Sequence, residues 1–183
     1  MTAPVTRVPR PPGRGLRATG AGLTHAGRVR RTNEDAILTD PGGALWAVAD
    51  GLGGLGHGDV AADIVIDHLA RLPHPAAPAD LDAALDAAHA AIRRRAARDG
   101  LGQIASTAVA ALVAGDRAHL AWAGDSRAYR ARDGGIERLT TDHSVVQELV
   151  DLYGLGEAEA ARHPQAHVVT RAIGGAERVA VAS

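Results

Sequence analysis

The sequence contains no cysteine and no lysine. Without cysteine, a thiol nucleophile, a disulfide framework and a thiolate zinc site are all excluded. Without lysine, the chain lacks the phosphate-binding lysine of P-loop enzymes, the strand lysine of protein kinases and the amine of Schiff-base enzymes. Phosphatases that use a thiol nucleophile are therefore excluded, together with these lysine-dependent classes.

Aromatic residues and net charge are also low. Aromatic residues make up 2% of the chain, which leaves no platform on which single-stranded bases could stack. A formal net charge of -1 gives no general attraction to nucleic acid or to an anionic membrane. The sequence shows neither the apolar stretch of a signal peptide nor one of membrane-spanning length. We therefore expect a cytoplasmic protein that binds neither nucleic acid nor membrane.

The length and hydrophobic content predict one domain. A chain of 183 residues with 46% hydrophobic residues can bury a sizeable core, but two domains would be small. Residues 1–15 are rich in Arg, Pro and Gly and predict a flexible tail. Residues 16–183 then form the predicted domain.

Hydrophobic periodicity predicts an α+β domain. A helix is expected from near Asp59 until Pro73, a second over about 79–99, and a third capped by Asp142 or Ser144 and closed by Gly154. A short acidic helical piece should follow the third helix. Residues 27–35 are predicted to form a polar connection and 133–135 a hairpin turn. The predicted strands are 16–24, 44–49, 107–114, 118–123, 129–132 and 136–139. This order predicts helices that cover the faces of antiparallel sheets.

A glycine-rich loop at 50–56 contains the pattern G-x-G-x-x-G between a predicted strand and a predicted helix. This pattern is typical of dinucleotide-binding sites, which also need a second parallel strand ending in an acidic residue about twenty positions later. Here that window is residues 71–75, which contain two prolines. The context therefore argues against dinucleotide binding.

The same loop begins with Asp50 and Gly51, which suggest a metal site. A carboxylate at a strand end has a fixed position, and the missing side chain of Gly51 would let its carbonyl approach the same ion. Oxygen ligands of this kind suit Mg²⁺ or Mn²⁺. An isolated Asp-Gly pair is more often a turn, so other segments must support the metal hypothesis.

Two further segments offer charged groups. Upstream, Arg30 and Arg31 precede the adjacent carboxylates Glu34 and Asp35, a combination that could grip a phosphate and orient metal-bound water. Downstream, Asp125 lies in a tight turn between two predicted strands. Standing alone, the upstream segment is better explained as a solvated charge cluster, and the downstream one could be an ordinary hairpin turn.

Taken in order, five segments resemble the signature segments of PPM (type 2C) metal-dependent protein serine/threonine phosphatases, most closely the bacterial members. They are VRRTNED at 29–35, DGLGG at 50–54, GDSRAY at 124–129, TTDHS at 140–144 and HPQAHVVTRAIG at 163–174. The resemblance implies an α-β-β-α sandwich of two antiparallel sheets flanked by helices. It also implies phosphoproteins phosphorylated on Ser or Thr as partners.

The resemblance further implies a hydroxide that bridges two Mn²⁺ or Mg²⁺ ions and attacks phosphorus. In that scheme Asp50 bridges the metals and the Gly51 carbonyl binds one of them. Glu34 and Asp35 hold metal-bound waters, and Asp125 binds a third, weaker ion.

Two expectations concern the reaction. Arg30 corresponds to the arginine that grips phosphate in the family. Many eukaryotic members have a histidine where this chain has Leu52, so we assign no protein general acid and expect water to protonate the leaving group.

The C-terminal region departs from the family pattern. Complete members continue past the TRAIG segment into strands that supply two more metal-binding aspartates, whereas no Asp follows Asp151 here. We therefore expect a chain with C-terminal strands missing and impaired activity. The alternative is a pseudo-phosphatase that binds phosphoproteins through Arg30 without turnover.

Overall fold

A computed structural model of the chain describes residues 18–29, 31–40, 42–53 and 56–183. The flexible tail predicted at 1–15 and the phosphate-binding role predicted for Arg30 lie outside these ranges. None of the described helices has the length and apolar composition needed to cross a membrane.

The main structural element is a five-stranded antiparallel sheet. Its strands are β1 (Asp35–Thr39), β2 (Leu45–Gly53), β3 (Ile104–Ser106), β4 (Ala108–Ala114) and β5 (Arg117–Ala123). They are ordered β1-β2-β4-β5, and β3 pairs with the end of β2. A separate hairpin joins β6 (Tyr129–Arg132) to β7 (Gly135–Arg138).

Two of the four described helices, α1 (Gly58–Leu69) and α2 (Pro78–Asp99), cover one face of the main sheet. The other two are α3 (Val145–Tyr153) and α4 (Glu157–Ala160). Alternate residues of β2, namely Leu45, Ala47 and Ala49, are buried in the core that α1 and α2 complete. Between them Val48 remains 44% exposed, because successive strand side chains point to opposite faces. Asp50 continues the Val48 side of the strand.

Helix α2 also holds a segment near the C-terminus. The ring of His89 is buried, and its Nδ1 accepts a hydrogen bond of 2.9 Å from the Gly174 N–H. Arg93 Nη1 donates to the Ala176 carbonyl at 2.7 Å. The backbone of Ile173 pairs with Ser106, so the TRAIG segment completes the core beside β3.

Most predicted elements are confirmed, with small shifts of their ends. The prediction for the cap of α3 is settled in favour of Ser144, whose hydroxyl accepts from the Gln147 N–H at 3.3 Å. Asp142 instead binds the guanidinium of Arg127. The turn at 133–135 is confirmed, with positive φ at Asp133 and Gly134.

The prediction for the first strand needs correction. Residues 18–24 of the predicted first strand form no strand, and Gly20 and Gly22 lie directly against the side chains of Trp46 and Ile37. Glycine packs closely but stabilises strands poorly, which accounts for the error. The first strand is instead β1, which begins at Asp35, the last residue of the predicted polar connection.

Candidate functional site

Asp50 lies within β2, because this strand continues to Gly53 instead of ending at Ala49 as predicted. The register of β1 and β2 places Asp35 directly opposite Asp50. Side chains at opposite positions share a face of the sheet and are about 5 Å apart, where two like charges destabilise the pairing. Asp35 is exposed and Asp50 half-buried. The arrangement therefore favours a cation beside these carboxylates.

Glu34 and Gly51 connect this end of the sheet to α1. The Glu34 carbonyl accepts a hydrogen bond of 3.0 Å from the Gly51 N–H. Its side-chain Oε1 accepts one of 3.3 Å from Gly58, the first residue of α1. A Cβ at Gly51 would lie 2.2 Å from the Gly58 carbonyl oxygen. Packing against α1 thus explains the glycine, and the metal role of its carbonyl stays a prediction.

Asp125 lies in the turn that follows β5, at residues 124–127. Ser126 anchors this turn to the end of the sheet, because its hydroxyl shares a hydrogen bond of 2.7 Å with the hydroxyl of Thr107. Thr107 in turn accepts a hydrogen bond of 3.1 Å from the Asp50 N–H. The structure therefore links the segment that carries Asp125 to the segment that carries Asp50.

An ion pair fixes the far side of the same turn. Arg127 Nε donates to Asp142 Oδ1 at 2.9 Å, and its Nη2 donates to Oδ2 at 2.5 Å. Asp142 is 8% exposed. Hydrogen bonds to this carboxylate raise the pKa of the Arg127 guanidinium above its ordinary value. The pair holds the turn to the TTDHS segment.

His143 provides a third anchor. Its ring Nδ1 accepts a hydrogen bond of 3.2 Å from the Gly124 N–H, and the backbone N–H of His143 donates to the Gly124 carbonyl at 2.9 Å. The ring stacks on Trp122, with centroids 6.2 Å apart and planes 7° from parallel. Burial, followed by the nearby positive charge of Arg171, lowers the pKa of His143. A neutral imidazole at neutral pH suits its role as acceptor.

The structure brings together four of the predicted site residues: Glu34, Asp35, Asp50 and Gly51. Among the described residues, the hydroxyls of Ser126 and Thr107 link the turn that carries Asp125 to this group. In the ranges for which coordinates are described, no group of three or more His, Asp or Glu side chains has a geometry that could hold a metal ion. The carboxylate and carbonyl oxygens of these residues fit the chemistry of Mg²⁺ or Mn²⁺. In the described ranges they supply part of a metal site.

Sequence reasoning did not select Thr107, His143 or Arg127 as functional residues. Thr107 follows Ser106, and two adjacent hydroxyl residues that interrupt an apolar run were the available signal. His143 and Arg127 lie within segments that carried the family resemblance, but their contacts join positions 15 or more apart. Only the fold shows that these side chains anchor the Asp125 turn.

Comparisons with known proteins agree with this architecture. The family model described as protein phosphatase 2C matches residues 22–149. The serine/threonine protein phosphatase PstP of Mycobacterium tuberculosis is 40% identical over 162 residues. This match covers 86% of the chain and 31% of the mycobacterial protein, so the chain spans about a third of that relative's length.

Solved structures resemble the chain over most of its length. PppA, described as a key regulatory component of T6SS in Pseudomonas aeruginosa, is 38% identical, with a TM-score of 0.79 over 92% of this chain and 71% of that one. The catalytic domain of PstP in complex with two manganese ions is 36% identical, with a TM-score of 0.76 over 87% and 69%. Both share the antiparallel sheets with flanking helices seen here.

Proposed function

The chain belongs to the protein phosphatase 2C family, and from this membership we propose that it hydrolyses phosphoserine and phosphothreonine in proteins. The observation that carries the proposal is the pairing of Asp35 with Asp50 at the end of the sheet, beside Glu34. Carboxylates that share one sheet end repel one another, and a cation bound beside them relieves that repulsion. The bacterial relatives of similar sequence are named serine/threonine phosphatases.

We propose that Asp50 and the Gly51 carbonyl hold Mn²⁺ or Mg²⁺. A solved structure of a relative contains two manganese ions, and the donors here are oxygens that hard cations prefer. Such an ion lowers the pKa of its bound water and neutralises charge on a phosphoryl group. Glu34, just before β1, and Asp35, the first residue of β1, orient water at this position, a role that their place beside Asp50 supports.

The remaining site assignments rest on sequence position. We propose that Arg30 grips the phosphate and that Asp125 binds a further, weaker ion. Support for Asp125 comes from its turn, which three separate contacts hold. Leu52 offers no proton donor, so water protonates the leaving group in this proposal. The phosphoprotein substrate is proposed by class only, and the cytoplasmic location stays a prediction.

A phosphopeptide assay tests the proposal. The 183-residue chain should release phosphate from a phosphothreonine peptide in the presence of Mn²⁺, and EDTA should abolish the release. Asp50→Asn removes one carboxylate charge and should lower kcat/KM by about a hundredfold or more. Asp116→Asn is a matched control, because Asp116 is an exposed residue in the turn between β4 and β5.

Three results would decide against the proposal in different ways. Hydrolysis that persists in EDTA would contradict the metal requirement. Equal rates for the wild-type chain and Asp50→Asn would contradict the assigned site. Saturable binding of the phosphopeptide by calorimetry, without phosphate release, would favour the pseudo-phosphatase alternative and the impaired activity expected from the sequence.

A further inference from the structure

Thr107 occupies the break between β3 and β4. The register on both sides of the break is continuous, since Gly51 pairs with Ser106 and Val48 pairs with Val109. Thr107 therefore lies directly opposite Asp50, although it belongs to neither strand. The Thr107 N–H donates to the Asp50 carbonyl at 2.9 Å, as in a regular antiparallel pair.

The side-chain hydroxyl of Thr107 accepts a hydrogen bond from the backbone N–H of Asp50. The Asp50 N–H donates to Thr107 Oγ1 at 3.1 Å. The Ser106 hydroxyl lies 2.7 Å from the Thr107 carbonyl oxygen and 3.1 Å from the Asp50 carbonyl oxygen, so its single hydrogen is shared between these two acceptors. The backbone of Asp50 is therefore fixed from the break between β3 and β4 by the side chain of Thr107, which is 0% exposed. A mutation of that side chain acts on Asp50 without changing its carboxylate.

The same hydroxyl also holds the turn that carries Asp125. Thr107 Oγ1 lies 2.7 Å from Ser126 Oγ. Gly124, two residues before Ser126, has φ +109° and packs closely against the Thr107 side chain. A Cβ at Gly124 would lie 2.6 Å from Thr107 Cβ. One buried threonine thus contacts both segments on which the predicted metal-binding carboxylates are placed.

We propose that Thr107 is a positioning residue that fixes the Asp50 and Asp125 segments relative to each other for binding of a divalent cation. The inference rests on the proposed function, since it holds that Thr107 links the two segments so that they can bind a metal ion. Thr107 does not bind the ion itself. It acts through Asp50 and through Ser126, the neighbour of Asp125.

Three variants of the full 183-residue chain isolate the hydroxyl. Thr107→Val removes it at nearly constant shape, and Thr107→Ser keeps it. Thr140→Val is the matched control: Thr140 is 3% exposed, and its Oγ1 accepts from the Ala128 N–H at 3.1 Å, the same distance as at Asp50. The control removes an equally buried hydroxyl that does not contact β2.

Mn²⁺ titration by calorimetry provides the first measurement. Loss of one backbone-orienting hydrogen bond should raise the Mn²⁺ dissociation constant of Thr107→Val about fivefold to tenfold. Thr107→Ser should restore it to within about twofold of wild type, and Thr140→Val should leave it unchanged. Wild-type affinity in Thr107→Val, or an equal loss in Thr140→Val, would overturn the proposal.

Amide hydrogen exchange without metal provides the second measurement. Thr107→Val should speed exchange at Asp50 and at Gly124, whose N–H is hydrogen-bonded within the turn, by about fivefold or more, because both segments lose the same anchor. Ser126→Ala should speed exchange in the turn alone, which keeps the test available where Thr107→Val does not fold. Unchanged exchange at Asp50 in a folded Thr107→Val chain, or in the turn of Ser126→Ala, would overturn the coupling.

The two measurements separate this inference from the proposed function. A wild-type chain that takes up no Mn²⁺ would contradict the proposed function, and with it the metal purpose assigned to Thr107. The exchange measurement would then decide alone whether Thr107 couples the two segments. Normal phosphatase activity with unchanged Mn²⁺ affinity in Thr107→Val would leave the proposed function standing and remove the inference.

Discussion

At the scale of single residues, Gly51 illustrates how closely the site is packed. A Cβ at this position would lie 2.2 Å from the carbonyl oxygen of Gly58 and 2.6 Å from that of Glu34. Both obstacles are backbone atoms, which cannot rotate away. We expect Gly51→Ala to lower the free energy of unfolding by about 1–3 kcal/mol, as measured by urea denaturation.

Gly156→Ala is the control for this prediction. A Cβ at Gly156 would meet no atom within 4 Å, so the substitution should change the free energy of unfolding by less than about 0.5 kcal/mol. A loss of equal size in both variants would show that the crowding between β2 and α1 is not the cause.

His143 makes the stability depend on pH. Burial and then Arg171 lower its pKa in the folded chain, and these outweigh the opposite effects of Asp142 and Glu148. Between the lowered pKa and the ordinary value of about 6.5, the unfolded chain binds more protons than the folded one. The contribution of His143 to stability is therefore present above that window and is lost as the pH falls through it.

The measurement compares urea midpoints at about pH 7.5 and about pH 5.5. We expect the wild-type midpoint to fall more steeply on acidification than that of His143→Asn, which cannot titrate. His167→Asn, at an exposed position, is the matched control. Identical slopes for wild type and His143→Asn would contradict the role given to this ring.

At the scale of secondary structure elements, the Arg127–Asp142 pair joins the Asp125 turn to the segment before α3. Asp142 is 7% exposed at its side chain, whereas that of Arg127 is 45% exposed, so solvent weakens the ion pair. We expect Asp142→Asn to cost about 1–3 kcal/mol in thermal or chemical unfolding.

The hairpin of β6 and β7 offers a contrast to this pair. There Arg130 pairs with Glu137 across the strands, and their side chains are 40% and 50% exposed. Glu137→Gln should therefore cost less than about 0.5 kcal/mol. Equal losses in the two variants would mean that burial of Asp142 does not set the strength of the anchor.

Elements with a long periodic pattern were predictable from the sequence. Helices α1 and α2 each repeat apolar residues at helical spacing over several turns, and their observed bounds lie close to the predicted ones. The strand β3 has only three residues and β1 only five, too few for a pattern to emerge. The strand predicted at 16–24 had a suggestive composition, but its described part has no partner strand.

The candidate site likewise contains residues that the sequence predicts and contacts that only the fold reveals. Asp50, Gly51, Glu34 and Asp35 belong to short segments with a recognisable order, so sequence alone could select them. The hydrogen bond of Thr107 to Asp50 joins positions 57 apart, and that of Arg127 to Asp142 joins positions 15 apart. Such contacts follow from strand register, which local sequence does not specify.

At the scale of the whole molecule, the described residues form a line across the end of the sheet. Asp35, Asp50, Thr107 and Gly124 lie on neighbouring strands or at their ends, in that order. The helices α1 and α2 pack on the opposite face from Val48 and Asp50. The fold thus places charged groups on the face that the helices leave open.

Anomalous diffraction from crystals of the 183-residue chain grown with Mn²⁺ tests the central claim most directly. We predict an anomalous peak within coordination distance, about 2.0–2.4 Å, of an Asp50 carboxylate oxygen, and its loss in Asp50→Asn. A structure with Mn²⁺ bound elsewhere, or with the Asp50 carboxylate away from any ion at saturating Mn²⁺, would contradict the account.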